Sequence, residues 1–258
     1  MGLGHINKAS EGTMLLYSCD DTDGAVADIS AGAGADVYSF TNANLSGSPT
    51  PANVAGLIGG ARSFSGTGRW LKSGVGTQDF KSTNTFEAWI KHDGTNTGTR
   101  YFLTLGATAF ITRLGMALVG GIQKFRYVYH ATSGNVTCDS VSGVPADEWT
   151  HVAVTRRQSG IDVDMYINGV LDVAYTGLAA VSANISAQIL CFGGTDSTAG
   201  PWAAQVDDLA MSTTVRTPAA ILETYRRGKG ILASKSMGLG TSFNWDFNRG
   251  FGQGRMKK

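Results

Sequence analysis

An all-β sandwich of two packed antiparallel sheets is the fold class this sequence predicts, and three observations predict it. Residues 148–155, Glu-Trp-Thr-His-Val-Ala-Val-Thr, put Val152 and Val154 on one face and His151, Ala153 and Thr155 on the other, as a half-buried antiparallel strand requires. Residues 162–167 alternate again, with Val163, Met165 and Ile167 against Asp162, Asp164 and Tyr166. Asn168-Gly169 then offers the two positive-φ positions of a type I′ turn into a return strand from Val170 to Tyr175. Finally, 35 glycines against 5 prolines in 258 residues suit many strands joined by tight turns.

Taken in order, Met14 to Cys19 reads as the first strand, and Asp20-Asp21-Thr22-Asp23-Gly24 turns away from it. Residues 24–56 are rich in Ala, Gly, Asn and Ser, so a long surface excursion is expected. Gly59 to Gly66, leading into Trp70-Leu71-Lys72, reads as a short hairpin. Over Thr85 to His92, Phe86, Ala88 and Ile90 share one face and Glu87, Trp89 and Lys91 the other. Strands are expected at Tyr101–Leu105, Phe110–Val119, Ile122–His130, Val136–Val141, Gln188–Phe192 and Gln205–Met211, a spacing that indicates two packed sheets. One helix follows: Thr217 is its N-cap, Pro218 its first residue, Ile221, Leu222 and Tyr225 its apolar stripe, and Gly228 its stop. Beyond it, Phe243, Trp245, Phe247 and Phe251 are spaced by Gly, Asn and Arg in a pattern that fits neither strand nor helix.

With 42% hydrophobic residues the chain can bury one large core, and one main domain is expected over residues 13–230, between an N-terminal arm (1–12) and a basic aromatic C-terminal arm (231–258). No apolar run approaches the roughly 20 residues a membrane helix needs, so no membrane insertion is expected. Met1 to Glu11 lacks the apolar core of a secretory signal peptide, and Cys19, Cys138 and Cys191 are odd in number and far apart; synthesis in a reducing cytoplasm is the simplest account. Net charge is +1 but unevenly spread. From Arg226 onward eight basic residues face the single acid Asp246, whereas residues 1–225 hold 13 basic and 19 acidic residues. A mildly acidic body carrying a basic tail suggests an arm that seeks an acidic surface; a solvated terminus is the other reading of the same charge.

The landmarks Gly60-Ala61-Arg62-Ser63-Phe64, Phe86-Glu87-Ala88-Trp89-Ile90-Lys91, Trp149-Thr150-His151-Val152-Ala153-Val154-Thr155, Tyr166-Ile167-Asn168-Gly169, Phe192-Gly193-Gly194 and Val206-Asp207-Asp208-Leu209 occur in one order. That order resembles the laminin G-like branch of the concanavalin A-like jelly rolls, from about Thr13 to Arg227. The resemblance implies a curved two-sheet jelly roll whose loops bind glycans or proteins, sometimes with a structural calcium. Asp20 or Asp21 with Asp207 would supply its carboxylates, since calcium takes hard oxygen ligands; a local Asx turn and a local pairing of Asp207 explain the same residues without metal. For a sugar face, the candidate aromatics are Trp202, Trp89 and Tyr127, with Tyr129 beside them, because stacked rings combine apolar area with polar edges.

Catalytic patterns are lacking. A related branch of the fold hydrolyses β-glucans with closely spaced glutamates, but Glu11, Glu87, Glu148 and Glu223 are far apart, and Asp162 and Asp164 are expected to solvate an outer face. The four histidines have no metal spacing, His151 reads as a packing or hydrogen-bonding residue, and there is no Gly-x-Ser-x-Gly and no phosphate loop. The expectation is therefore a non-enzymatic protein. Phe243, Trp245, Phe247 and Phe251, with Arg249 and Arg255, form an apolar and basic segment suited to docking on a neighbour. In this the chain resembles bacteriophage virion proteins that decorate a capsid or tail. The expected partners are capsid or tail proteins of the same particle, in several copies, with no specific nucleic acid. A carbohydrate-binding adhesion module of a fibre or spike, touching host-surface glycans, is the alternative, and a glycoside hydrolase the remote one.

Overall fold

Alternation commits each central strand to two environments, and pairing then stacks the apolar sides. The computed structural model describes residues 13–17, 19, 40–41, 52–57, 59–64, 71–76, 83–106, 112–157, 161–181, 188–193 and 204–236. Its strands are β1 (Thr13–Tyr17), β2 (Phe40–Thr41), β3 (Ala52–Ala55), β4 (Gly60–Ser63), β5 (Leu71–Gly76), β6 (Asn84–His92), β7 (Thr99–Leu105) and β8 (Thr112–Val119). They continue as β9 (Ile122–Ala131), β10 (Gly134–Gly143), β11 (Thr150–Arg157), β12 (Asp162–Ile167), β13 (Val170–Tyr175), β14 (Gln188–Phe192) and β15 (Ala204–Ser212), before helix α1 (Pro218–Ser236). An eight-stranded sheet runs β13-β12-β11-β6-β15-β4-β3, with β1 also paired to β15, and a seven-stranded sheet runs β10-β9-β8-β7-β14-β5-β2. The paired strands are antiparallel throughout.

Between the sheets lie Phe86, Ala88, Ile90, Val152, Val154, Val163 and Met165 from one side and Phe102, Leu114, Met116, Phe125, Tyr127, Tyr129 and Phe192 from the other, all buried. Each large side chain so buried contributes about 1.5–3 kcal/mol. Arg156 brings a cation into this core. Fully buried, it donates from Nη1 to the Tyr127 hydroxyl at 3.0 Å and lies 5.7 Å from the Tyr129 ring centroid. The edge strands β13 and β10 are clasped side by side. Asp172 accepts the Val141 and Ser142 amides at 2.5 and 3.0 Å, and the Tyr175 hydroxyl exchanges bonds with the Asp139 amide and carbonyl. Such side-chain cover occupies edge amides that would otherwise template pairing with another chain.

The Asn168-Gly169 turn has φ of 52° and 75°, as its sequence demanded. A Cβ at Gly169 would also stand 2.9 Å from Tyr225 Cβ, so the turn needs glycine both for its backbone and for the helix lying on it.

Three expectations are corrected. The residues around 59–72 do not form a hairpin: β4 pairs with β3 and β15, whereas β5 pairs with β14 and β2 in the other sheet, so the chain changes layer there. The excursion over 24–56 contains β2 and β3, whose shortness leaves little alternation to read. Thr217 does cap α1, accepting the Ala220 amide at 3.2 Å, but Gly228 does not end it. The helix continues to Ser236, across the expected boundary at 230, because Ile231 and Leu232 extend its apolar stripe onto the sheet. That packing outweighs a helical glycine's cost of about 1 kcal/mol.

Candidate functional site

Each sheet has an outer face, and the two differ. On the eight-stranded sheet, the outward residues of β6 and β11 are covered by α1. Trp89 is fully buried, with its ring stacked on Tyr225 at 5.9 Å between centroids and tilted against His151 at 5.3 Å. Leu57, Trp149, Ile231 and Leu232 complete its surroundings, while Ala153 and Tyr166 bury against Ile221. Beside the rings sits a charge cluster. The buried Glu87 carboxylate is ion-paired with Arg216 and lies 3.4 Å from His151 Nε2. Arg216 ties it to the helix by donating to the Ala220 carbonyl and the Thr224 hydroxyl. His151 is buried between the Trp89 ring and the Glu87 carboxylate. Asp164, expected to be solvated, is instead buried and held by Arg157 at 2.7 Å.

The outer face of the seven-stranded sheet is graded. Toward β14, Thr104 and Cys191 are buried; toward β9 and β10, Lys124, Arg126, His130 and Asp139 are half-buried and Asn135 and Thr137 exposed. Register places Tyr101, Gly115, Arg126 and Asp139 in one row across β7, β8, β9 and β10. Gly115 is required in that row. A bulge in β7 brings the Arg100 carbonyl and Tyr101 Cα into the space a Cβ would take, which carries Tyr101 over β8. Arg126 is fixed by three bonds, Nε and Nη2 to the two Asp139 oxygens at 2.6 and 2.7 Å and Nη1 to the Thr99 hydroxyl at 2.9 Å. The Asp139 hydrogen bond raises the Arg126 pKa above its ordinary value despite burial, so this cation persists at any working pH. The Arg113 guanidinium lies 5.2 Å from the Tyr101 ring centroid, and its own burial lowers its pKa. The arrangement is a rigid surface of one aromatic ring, several guanidinium and ammonium donors and one carboxylate, able to bind by stacking and charged hydrogen bonds.

Two of the three expected sugar-stacking aromatics are corrected by burial. Trp89 points outward as expected but lies under α1, and Tyr127, with Tyr129, faces the interior, where the Tyr129 hydroxyl donates to the Ala179 carbonyl at 2.7 Å. Trp202 lies outside the described residues, as do Asp20, Asp21, Phe243, Trp245, Phe247, Arg249, Phe251 and Arg255. Asp207 is buried at a bulge of β15, where its Oδ2 accepts the Leu57 amide at 2.8 Å and so braces the turn before β4. Among the described residues there is no group of three or more His, Cys, Asp or Glu that could hold a metal ion. Likewise, no helix among them is long and apolar enough to cross a membrane. Sequence reasoning missed Tyr101, Arg113, Arg126 and Asp139. Their signal was present in the alternation of β9, where Lys124, Arg126, Val128 and His130 share the face opposite Phe125, Tyr127 and Tyr129.

Comparison with known proteins agrees with this architecture. A laminin G-like family model, described as the concanavalin A-like lectin/glucanases superfamily, matches residues 65–222. No curated protein matches the chain by sequence. Domain 4 of AbnA, a GH43 extracellular arabinanase from Geobacillus stearothermophilus solved with arabinotriose, superposes with a TM-score of 0.59 at 20% identity, covering 83% of this chain and 98% of that one. The ligand-binding domain of botulinum neurotoxin serotype D, solved with N-acetylneuraminic acid, gives 0.58 at 13% identity over 84% of this chain and 51% of its own. Trypanosoma rangeli sialidase gives 0.60 at 15% identity over 86% and 33%. The chain therefore spans about half of the toxin domain and a third of the sialidase, and at these identities the likeness is one of fold.

Proposed function

Because this chain belongs to the concanavalin A-like lectin/glucanases superfamily, we propose that it is a non-enzymatic binding protein of a bacteriophage particle, presenting a lectin-like domain that takes a saccharide on the outer face of its seven-stranded sheet. One observation carries the saccharide reading: of the two outer sheet faces, that of the eight-stranded sheet is covered by α1 along β6 and β11, whereas the other offers Tyr101, Arg126 and Asp139 in one rigid row. Similar modules accompany sugar-active or receptor-binding proteins, as in the arabinanase domain solved with arabinotriose and the toxin domain solved with N-acetylneuraminic acid. A hydrolytic role is disfavoured by Glu87, the one fully enclosed glutamate among the described residues, which is committed to Arg216 beneath the helix. The particle reading rests on the basic aromatic residues Phe243, Trp245, Phe247, Arg249, Phe251 and Arg255, which follow a helix docked on the domain.

Two measurements test these parts separately. The full chain on a glycan array should bind saccharides, and Tyr101→Ala should abolish that binding with the melting temperature unchanged; retention of full binding by the variant would move the site elsewhere. Deleting residues 237–258 should prevent incorporation into particles and leave glycan binding intact. Incorporation of the truncated chain at the normal level would remove the tether role.

A further inference from the structure

We infer that the ligand of this face is an acidic saccharide, its oxyanion held by Arg126 and Lys124 while its ring packs against Tyr101; this rests on the saccharide reading above and names the class of sugar. The residues before Arg226 are acidic in sum, yet strands β7 to β10 run against that trend. On their outer face they hold Arg113, Lys124 and Arg126 against the one acid Asp139, while Arg100, opposite the buried Met116, takes the other side. Acid-poor strands within an acidic body concentrate positive potential on one surface, which selects ligand charge and accelerates encounter.

Two of these cations are placed for one anion. Lys124 and Arg126 are two positions apart on β9 and so share its outer face, with Cα atoms about 7 Å apart. Across from Lys124 stand Ala117 on β8 and Gly143 on β10, so no long side chain competes for the space beside it. The bonds from Arg126 to Asp139 and Thr99 use three of its five N–H donors and fix the plane of the guanidinium. Two donors remain on a group that has already surrendered its rotamer freedom. A carboxylate or sulfate gains most from such a partner, because guanidinium matches its paired oxygens and little ordering entropy is left to lose. Asp139 sets the selectivity further. It neutralises one cation only, so the face stays positive for an anion, and its carboxylate oxygens can accept from sugar hydroxyls. The Tyr101 ring supplies the apolar surface that distinguishes a sugar acid from a bare ion.

The test titrates the full chain with glucuronic acid, glucose 6-sulfate, glucose and inorganic sulfate, followed by calorimetry or by backbone amide shifts of β9. Glucuronic acid or glucose 6-sulfate should bind about tenfold more tightly than glucose, and raising NaCl from about 50 to about 500 mM should weaken that binding severalfold. Lys124→Gln should abolish the preference for the acid. Lys229→Ala, which changes a cation on α1, should leave the preference intact, and the melting temperature of each variant excludes misfolding. Whichever acidic sugar binds more tightly identifies the oxyanion. Equal affinity for glucose and the acids overturns this inference yet leaves the saccharide reading standing. Inorganic sulfate binding as tightly as the sugar acids overturns it as well, because the ring would then contribute nothing. Shifts confined to other strands would overturn both.

Discussion

The outward residues of β6 and β11 and those of β9 and β10 are produced by the same alternation and meet opposite fates. On the first pair, Glu87, Trp89, His151, Ala153 and Thr155 are buried; on the second, Lys124, Arg126, His130 and Asp139 are half-buried and Asn135 and Thr137 exposed. Alternation decides only which side of a strand a residue takes. Whether that side meets water depends on an element far along the chain, here α1, whose Ile221, Tyr225, Ile231 and Leu232 lie on the first surface. A tryptophan pointing away from the core is therefore no sign of a binding surface until the cover is known. Trp89 and Tyr101 both point outward, but Trp89 is held under the helix and Tyr101 stands among cations at the partly open surface.

The strongest way to break this contrast is to truncate the ring beneath the helix. Trp89→Ala removes the centre of a cluster formed by Leu57, Trp149, Tyr225, Ile231 and Leu232 and should cost about 3–5 kcal/mol of unfolding free energy. Urea unfolding followed by circular dichroism measures it. The same change should leave saccharide binding at any temperature where the domain remains folded. A variant of wild-type stability that no longer bound sugar would reverse the roles assigned to the two faces.

A second test distinguishes the two sides of the same strands in the seven-stranded sheet. Inward from β9 and β10, burial pushes the Tyr127 and Tyr129 phenols above their ordinary 10.0 and the Cys138 thiol from 9.0 up to about 12. For each of these acids the folded state prefers the neutral form more than the unfolded state does. Their contribution to stability is thus complete below pH about 9 and is lost progressively as the pH climbs toward about 12. Melting temperature should hold steady up to that lower limit and then fall. Absorbance of ionised phenol from Tyr127 and Tyr129 should rise only with unfolding. Native-state ionisation of both rings near 10 would mean that these side chains reach water.

Much of this architecture was legible in the sequence, and its gaps have physical causes. The hairpin of β11 and β12, the Asn168-Gly169 turn and the Thr217 cap are local, set by residues within a few positions of each other. The layer change between β4 and β5 is decided by partners more than a hundred residues downstream, β15 and β14, so nothing near residue 65 announces it. The helix length was obscured by Gly228, because local propensity competes with tertiary contacts at Ile231 and Leu232. In the candidate site, alternation shows that Lys124 and Arg126 share a face; the row joining them to Tyr101 and Asp139 depends on register across four strands and on a bulge opposite Gly115. Those features come from pairing, which one strand's pattern cannot supply.

The smallest expected effect makes the sharpest discrimination. Arg126→Ala removes an ion pair whose two side chains retain 20% and 24% of their exposure, so solvent screening limits the stability loss to about 0.5–1 kcal/mol, far below that of Trp89→Ala. Were Arg126 chiefly a structural brace between β9 and β10, that small loss would be its whole consequence, and sugar affinity would fall only as the folded fraction falls. If it is a ligand group, affinity should drop about tenfold or more at full folding, because charged donors lost from a preorganised site are not replaced by water. Comparing the affinity ratio with the folded fraction under one set of conditions distinguishes these cases.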